Sequence, residues 1–379
     1  MNARSRFAIF PLLLLFAACC FFPTVLSHAN RRSEPSSARS AANDANPLTA
    51  VERGKKYGYI DATGKVVIPL QYDDASEFYG GLAPVKTGDK YGYIDTSGKM
   101  VIPQQYDLAN LFFDDLAAVT IGKKTGYIDK TGRMVIPPQY YLGFDFFEGL
   151  AAVQVKKGDK YGYIDKTGKM VIPPQFTDAS NFSGGLARVY VGGKVDVISY
   201  SGGKFGFIDQ IGKMVVPAQY DGADAFSEGF ARVQVGGKVD IIFNAGGGKS
   251  GFVDKTGKVV IPIQYDAAGS FHEGLAAVQT GDQWGFIDTT GKVVIPLQYY
   301  KAYQFSEGLA AVHTDEKWGF IDSTGKMVIP PQFDDVHFYF SGGLAQVQTG
   351  GGFEASMGLS DKYVAYIDKT GKVVWRAAD

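Results

Sequence analysis

A five-residue motif returns nine times along this chain, and its spacing constrains the fold more than any other property. Tyr57-Gly58-Tyr59-Ile60-Asp61 recurs as Tyr91 to Asp95, Tyr161 to Asp165, Trp284-Gly285-Phe286-Ile287-Asp288 and Trp318-Gly319-Phe320-Ile321-Asp322. Degenerate copies start at Thr125, Phe205, Ser250 and Val364. Successive starts lie 34, 34, 36, 44, 45, 34, 34 and 46 residues apart. Such a period belongs to stacked or radial arrays of one supersecondary unit. A unit this short cannot bury its own aromatic residues, so neighbouring units must pack together.

Each unit reads as three strand-like pieces. Piece A is Tyr57 to Asp61, piece B is Val66 to Tyr72, and piece C is Leu82 to Lys86, reached through a connection over Asp73 to Gly81. Aromatic and β-branched runs bounded by Gly and Asp are the strand signal, and sustained helical periodicity is absent. Within the connection, Ala75 and Phe78 are spaced for one helical turn. Between A and B, the turn Asp61-Ala62-Thr63-Gly64-Lys65 keeps its Asp and Gly in all nine copies. The Gly slot calls for a left-handed conformation, and the Asp carboxylate can accept the amide two residues on. The basic residue after the Gly is expected to face the Asp across the hairpin mouth. Pro69 and its equivalents in eight copies make B an edge or bulged strand. Gly58 implies a close approach by another group, which we expect to be a ring from the next unit.

The remaining composition excludes several classes. The formal charge is −1, which offers no electrostatic footprint for nucleic acid. Both cysteines, Cys19 and Cys20, lie in the apolar N-terminal stretch, so the repeats contain no disulfide or thiol. That stretch reads as an export signal: Arg4 and Arg6 precede an apolar run, and Ser27-His28-Ala29 offers a cleavage site after residue 29. Residues 1–29 are therefore expected to be a signal peptide, with the repeats periplasmic or secreted. Two alternatives stay open. Phe16-Ala17-Ala18-Cys19 resembles a lipobox, which would make a lipoprotein anchored at Cys19, and the apolar run is long enough for an uncleaved anchor. Membrane contact is expected only through this N-terminus. Residues 30–54, polar over their first half, are expected to be a disordered linker, and residues 55–379 to be eight full units and a partial ninth.

The ordered slots Trp/Tyr-Gly-Phe/Tyr-Ile-Asp, Gly-Lys, Val-Ile-Pro and Gln-Tyr resemble the WG-repeat family of bacterial proteins over residues 55–379. The resemblance implies a β-rich, often exported repeat and no assigned chemistry. Counted from A, both ends of the array supply an A-B pair, whereas a propeller closes on ends that complement each other. An open, twisted array of three-stranded antiparallel units is therefore the favoured all-β architecture, with a β-propeller-like ring as the alternative.

Motifs for chemistry are weak. The nine turn aspartates lie one to a unit beside a basic residue, unlike a calcium roll. Asn244 to Ser250 ends like a phosphate loop, but Phe243 stands where glycine is required and a strand follows. Ile287 to Gly291 has one residue too many for an aspartic-protease loop. His272, His313 and His337 fall in different slots with no metal-ligand spacing. No catalytic residue, cofactor or metal is expected. The breaks in periodicity carry more information. Residues 190–204 and 234–249 are similar long connections on adjacent units, and a third runs from 348 to 362. The first two can form a raised binding patch bearing Tyr190, Tyr200 and Phe243. Trp284 and Trp318 are candidate platforms for a glycan, although the same rings suit a repeat core. The expected function is a non-enzymatic binding or scaffold role toward an extracytoplasmic protein or envelope component. Envelope polysaccharide binding is the alternative, and hydrolysis a remote third.

Overall fold

The computed structural model describes residues 47–196, 199–237, 247–314, 316–337, 339–349 and 363–377. The expected signal segment with Cys19, most of the expected linker, Phe243 and residues 350–362 lie outside the described residues. The chain forms nine consecutive antiparallel sheets, the first with three strands and the others with four. They are the blades of a nine-bladed β-propeller, numbered here in chain order.

Blade 1 is β1 (Thr49–Arg53), β2 (Lys56–Ile60) and β3 (Val66–Tyr72). Blade 2 is β4 (Asp74–Ala75), β5 (Leu82–Thr87), β6 (Lys90–Asp95) and β7 (Met100–Tyr106), and the later blades repeat it. In the four-stranded sheets a short strand, two residues long in six blades and six residues long in blades 5 and 8, sits at one edge, and the strand that bears the proline in all but the last blade sits at the other. The proline strand is exposed at alternate positions and faces outward. It is also bulged: Tyr57 pairs with Tyr72 but Tyr59 with Ile68, so Pro69 and its neighbours are looped out of register. Proline accordingly costs no ladder hydrogen bond there. No helical turn forms in the connection. Its residues instead make the short strand and a two-residue hairpin, closed in blade 2 by the Tyr79–Leu82 bridge.

The favoured open array is not what forms. Thr49–Arg53 pairs with β2 in the register that β5 uses with β6, Val51 facing Gly58 as Val85 faces Gly92. Leu48-Thr49-Ala50-Val51 is thus a degenerate copy of Leu82-Ala83-Pro84-Val85, and Thr49–Arg53, within the expected linker, instead complete the first blade. Each blade is continuous in sequence, so no strand has to be shared between the termini. Nine hydrophobic clusters, each straddling two neighbouring blades, hold the structure together. An open row of nine blades has only eight such interfaces. The ninth cluster joins Leu344 and Trp375 of blade 9 to Val51 and Ile60 of blade 1. Arg53 ties the same seam, donating to the Arg376 carbonyl oxygen at 2.7 Å and lying 4.9 Å over the Trp375 ring.

The invariant letters are turn and packing chemistry. The Asp61 carboxylate accepts the Thr63 amide at 2.9 Å, the Thr63 hydroxyl at 2.6 Å and the Lys65 amide at 3.1 Å. Gly64 adopts φ 85°. The following basic side chain engages the aspartate in the third copy only, among the described residues, through Arg133 and Asp129 at 2.9 Å. Elsewhere it is the backbone amide of that residue that the Asp holds. Gly58 also has a different cause from the expected neighbouring ring. A Cβ there would lie 2.6 Å from the Ile68 carbonyl oxygen, so the close approach comes from the bulged strand of its own blade.

Candidate functional site

The blades converge on a hub formed by their short strands and the two-residue hairpins that follow them. These hairpins were not legible in the sequence as hairpins, yet they link the blades. Their first residue adopts positive φ even where it is not glycine, at 53° in Glu148, 52° in Glu228 and 54° in Glu273 and Glu307. Its carboxylate crosses to the next blade. Glu148 accepts the amides of Gly184 and Gly185 at 2.7 and 2.8 Å, and Glu228 those of Glu273 and Gly274 at 2.7 and 2.9 Å. Asp114, Glu273 and Glu307 accept the amides of Gly149, Gly308 and Gly343 at 2.7, 3.0 and 3.0 Å. At five of the blade boundaries the residue before the hairpin adds a second link. In blades 2 to 4 it is aromatic, and Tyr79, Phe113 and Phe147 form a ladder with 4.5 Å between successive ring centroids. In blades 5, 6 and 8 it is serine, and Ser183, Ser227 and Ser306 donate to Phe226, Phe271 and Phe340 carbonyl oxygens of the following blade.

The wall of the hub changes character on blades 5 and 6. The third residue of the Leu-Ala-X-Val strand is Pro84, Ala118, Ala152, Ala277 or Ala311 in five blades, and Gln346 in blade 9. In blades 5 and 6 it is Arg188 and Arg232. Arg232, with 4% of its side chain exposed, grips Asp224 through two hydrogen bonds of 2.6 and 2.7 Å. Arg188 reaches across the blade boundary to the Ala223 carbonyl oxygen at 3.0 Å, and its other end lies 3.5 Å from Asp178. Its guanidinium sits 5.1 Å over the Phe205 ring, and its buried Nε has no hydrogen-bond partner. Ser270 of blade 7 completes the group at 3.4 Å from Asp224. Burial alone would raise the Asp224 carboxyl, but the positive charges of Arg232 and Arg188 outweigh it and hold the group below the usual carboxylate range. Burial likewise works against both guanidinium charges and is outweighed by neighbouring acidic groups, so both are held more firmly protonated. These charges are therefore fixed at neutral pH, which suits recognition more than proton transfer.

The long connection of blade 5 serves this wall. In blade 2, the Tyr91 hydroxyl donates to Asp74. Blade 5 has Phe205 in that slot, without a hydroxyl. Tyr200 folds back from the long hairpin and supplies the bond, donating to Asp178 at 2.7 Å. Its ring packs against Tyr190 and Phe205, with centroids 4.9 and 4.8 Å away. Tyr190 is 2% exposed and its hydroxyl accepts the Gly203 amide at 2.8 Å. The structure thus brings Tyr190 and Tyr200 together as packing for the arginine wall, with Tyr190 buried beneath the expected patch. Phe243 lies outside the described residues.

Trp318 is 4% exposed and stacks on Tyr303 at 4.7 Å, so protein covers its ring. Trp284, in the equivalent slot, is half-buried against the blade 7 to 8 cluster. His313 faces Trp318 edge-on at 5.0 Å. His337 lines a cleft of about 240 Å³ with Tyr303, Asp335, Gln346 and Gln348, between blades 8 and 9. Among the described residues, no group of three or more His, Cys, Asp or Glu is placed to hold a metal ion. The arginine wall had a readable signal, since aligning the eight Leu-Ala-X-Val segments leaves two adjacent charged residues in a slot that is small in five blades and uncharged in the sixth.

The model of the WG containing repeat matches residues 57–91, 91–124, 126–161, 161–194, 205–238, 251–284, 284–318 and 318–353. The chain belongs to the WG-repeat family. The matched unit begins on the YGYID strand, whereas a blade begins on the short strand, so repeat and blade are out of phase. A comparison with curated proteins gives no match. Among solved structures, the chain is similar to a eukaryotic initiation factor, at TM-score 0.59 and 10% identity over 87% of this chain and 96% of that one. At these identities the likeness concerns the fold alone. The chain also aligns with dihydro-heme d1 dehydrogenase NirN, at TM-score 0.43 and 13% identity over 91% and 74% of the two chains.

Proposed function

We propose that this chain is a non-enzymatic binding or scaffold protein acting outside the cytoplasm, and that blades 5 and 6 carry the face that meets its partner. One observation carries this reading: the two blades whose hub slot changes from a small residue to arginine are the same two that carry the adjacent long connections. A propeller built from nearly identical blades presents the same chemistry at each, so a specific partner must recognise what differs. The fixed charges of Arg188, Arg232 and Asp224 favour binding over acid–base catalysis. The basic, apolar and small-residue order of the N-terminus supports export. The partner would be an extracytoplasmic protein or an envelope component. Crosslinked capture from the native envelope tests the reading, run with the full chain and with Arg188→Gln. A partner recovered by the wild type and lost by the variant, with melting temperature verified, is expected. Equal recovery by both would sink the face.

A second reading, binding of an envelope polysaccharide, draws on blade 8, where Tyr300 is 61% exposed, and on the polar cleft between blades 8 and 9 lined by His337 and Gln346. Saturable retardation in polysaccharide gels that Tyr300→Ala abolishes would favour it.

A further inference from the structure

The hub contains its own demonstration of what the gap between two blades can hold. In the gap from blade 8 to blade 9, the Glu307 carboxylate accepts the Gly343 amide at 3.0 Å and pairs with Lys369 at 3.1 Å. Lys369 is the second residue of the Asp-Lys-Thr-Gly turn of blade 9. The gap from blade 5 to blade 6 has the same donors. Gly229 stands in the slot of Gly343, Glu228 precedes it, and Lys255 stands in the slot of Lys369. The residue in the slot of Glu307, however, is Gly184, which brings no carboxylate. Among the described residues the Glu228 and Gly229 amides have no hydrogen-bond partner and Lys255 forms no ion pair. The Glu228 carboxylate is directed onward to blade 7. The Lys255 ammonium lies 2.9 Å from where a Cβ of Gly184 would be, at the root of the missing side chain. Gly184, Glu228 and Lys255 are all exposed, so the position can be reached from solvent.

We infer that the gap between blades 5 and 6 binds a carboxylate carried by another molecule, held by the Glu228 and Gly229 amides and the Lys255 ammonium. Paired backbone N–H groups beside a cation form an anion-binding concavity, and charge-assisted hydrogen bonds are the stronger kind. The other gaps opened by glycine do not qualify. After Gly80, Lys130 already lies 3.5 Å from Asp115, within a hairpin that carries two acidic residues. Gly342 is packed against Pro47. The site does not require the arginine wall to touch a partner and goes beyond that reading. A peptide C-terminus and a Glu or Asp side chain share the chemistry it would take.

The sequence provides an internal control. It contains four Glu-Gly pairs, 148–149, 228–229, 273–274 and 307–308. Labelling Glu at the carbonyl carbon and Gly at nitrogen leaves four amide signals in a carbonyl-filtered NMR spectrum. Gly149, Gly274 and Gly308 already donate to internal carboxylates, and Gly229 does not. On titration with sodium acetate, against sodium chloride at equal ionic strength, one signal should move saturably downfield. Lys255→Gln should weaken the acetate response about fivefold, the loss of one exposed charge contact. Gly184→Glu should place the Gly229 signal downfield without acetate and remove the response. That side chain is tolerated at the same slot in Glu148 and Glu307, at φ 53° and 54°. A peptide with a free C-terminus, its amidated form, and an amidated peptide with an internal Glu identify which carboxylate binds better. Four signals moving together, no signal moving, or an unchanged response in Gly184→Glu would each overturn the inference.

Discussion

The Tyr366 hydroxyl donates to the Ala50 carbonyl oxygen at 3.1 Å, joining residues 316 positions apart. It is the buried-tyrosine bond of the other blades, such as Tyr59 to Ser76 at 2.8 Å, carried around the ring to the first blade. The seam it closes has four buried apolar residues, Val51, Ile60, Leu344 and Trp375, where the other interfaces have eight or more. The seam should therefore open before any other interface. Trp375→Ala should remove about 3–5 kcal/mol from it. Hydrogen exchange should then show the amides of β1 losing protection while those of blades 4 and 5 keep theirs. Uniform loss across the blades would contradict a local seam.

The Tyr163 hydroxyl donates to the Ser180 carbonyl oxygen at 2.8 Å, a buried bond from blade 4 to blade 5. Tyr163→Phe leaves that carbonyl without the donor and should cost about 1–3 kcal/mol in chemical denaturation. Blades 5 to 8 carry Phe207, Phe252, Phe286 and Phe320 in the same slot, so the ring itself should remain well packed in the variant.

Acid should loosen the outer turns. Hydroxyl hydrogen bonds from Thr63, Ser97 and Thr167, with turn amides, hold Asp61, Asp95 and Asp165 below the usual carboxylate range. Asp129 is lowered to about 2, with the Thr131 hydroxyl its first cause. A carboxylate whose folded pKa lies below its unfolded value, about 3.9, stabilises the fold above that value and loses the effect as pH falls. The melting temperature should be level from pH 7 to about pH 5 and drop between about pH 4 and 2. A melting temperature unchanged down to pH 2 would show that these turns contribute nothing.

Arg232 and Asp224 form a bidentate pair whose arginine is almost wholly buried. Arg232→Ala should destabilise the protein by about 3–5 kcal/mol, because it leaves a carboxylate without its principal counter-charge. Adding Asp224→Asn should recover part of that loss. A double variant as unstable as the sum of the singles would mean that the pair is not coupled.

Strand order within the unit, the left-handed Gly64 turn and the outward proline strand follow from short-range chemistry, and the sequence displays short-range chemistry directly. The ring did not follow, for an identifiable reason. A repeat counted from Tyr57 starts on the third strand of the four-stranded blade, two strands out of phase, which hid Thr49–Arg53, whose Leu48-Thr49-Ala50-Val51 keeps only the apolar skeleton of its slot. The hub hairpins were obscured because Asp114, Glu148 and Glu273 occupy a conformation usually read from glycine. The arginine wall depends on Asp178, Tyr200 and Asp224, which only the fold brings together. Of the rings proposed as exposed platforms, Trp318 proved to be enclosed by Tyr303 and His313, a pairing across strands that spacing alone does not reveal.

Because each blade is one uninterrupted stretch of chain, the position of the break in the ring is arbitrary. Joining the present ends with a flexible tether and cutting the backbone between two other blades, for example after Asp107, would give a circular permutant with every blade whole. The closure then resembles a clasp that can be moved to any joint of a bracelet, and a unit added or removed would alter the circumference without changing the links.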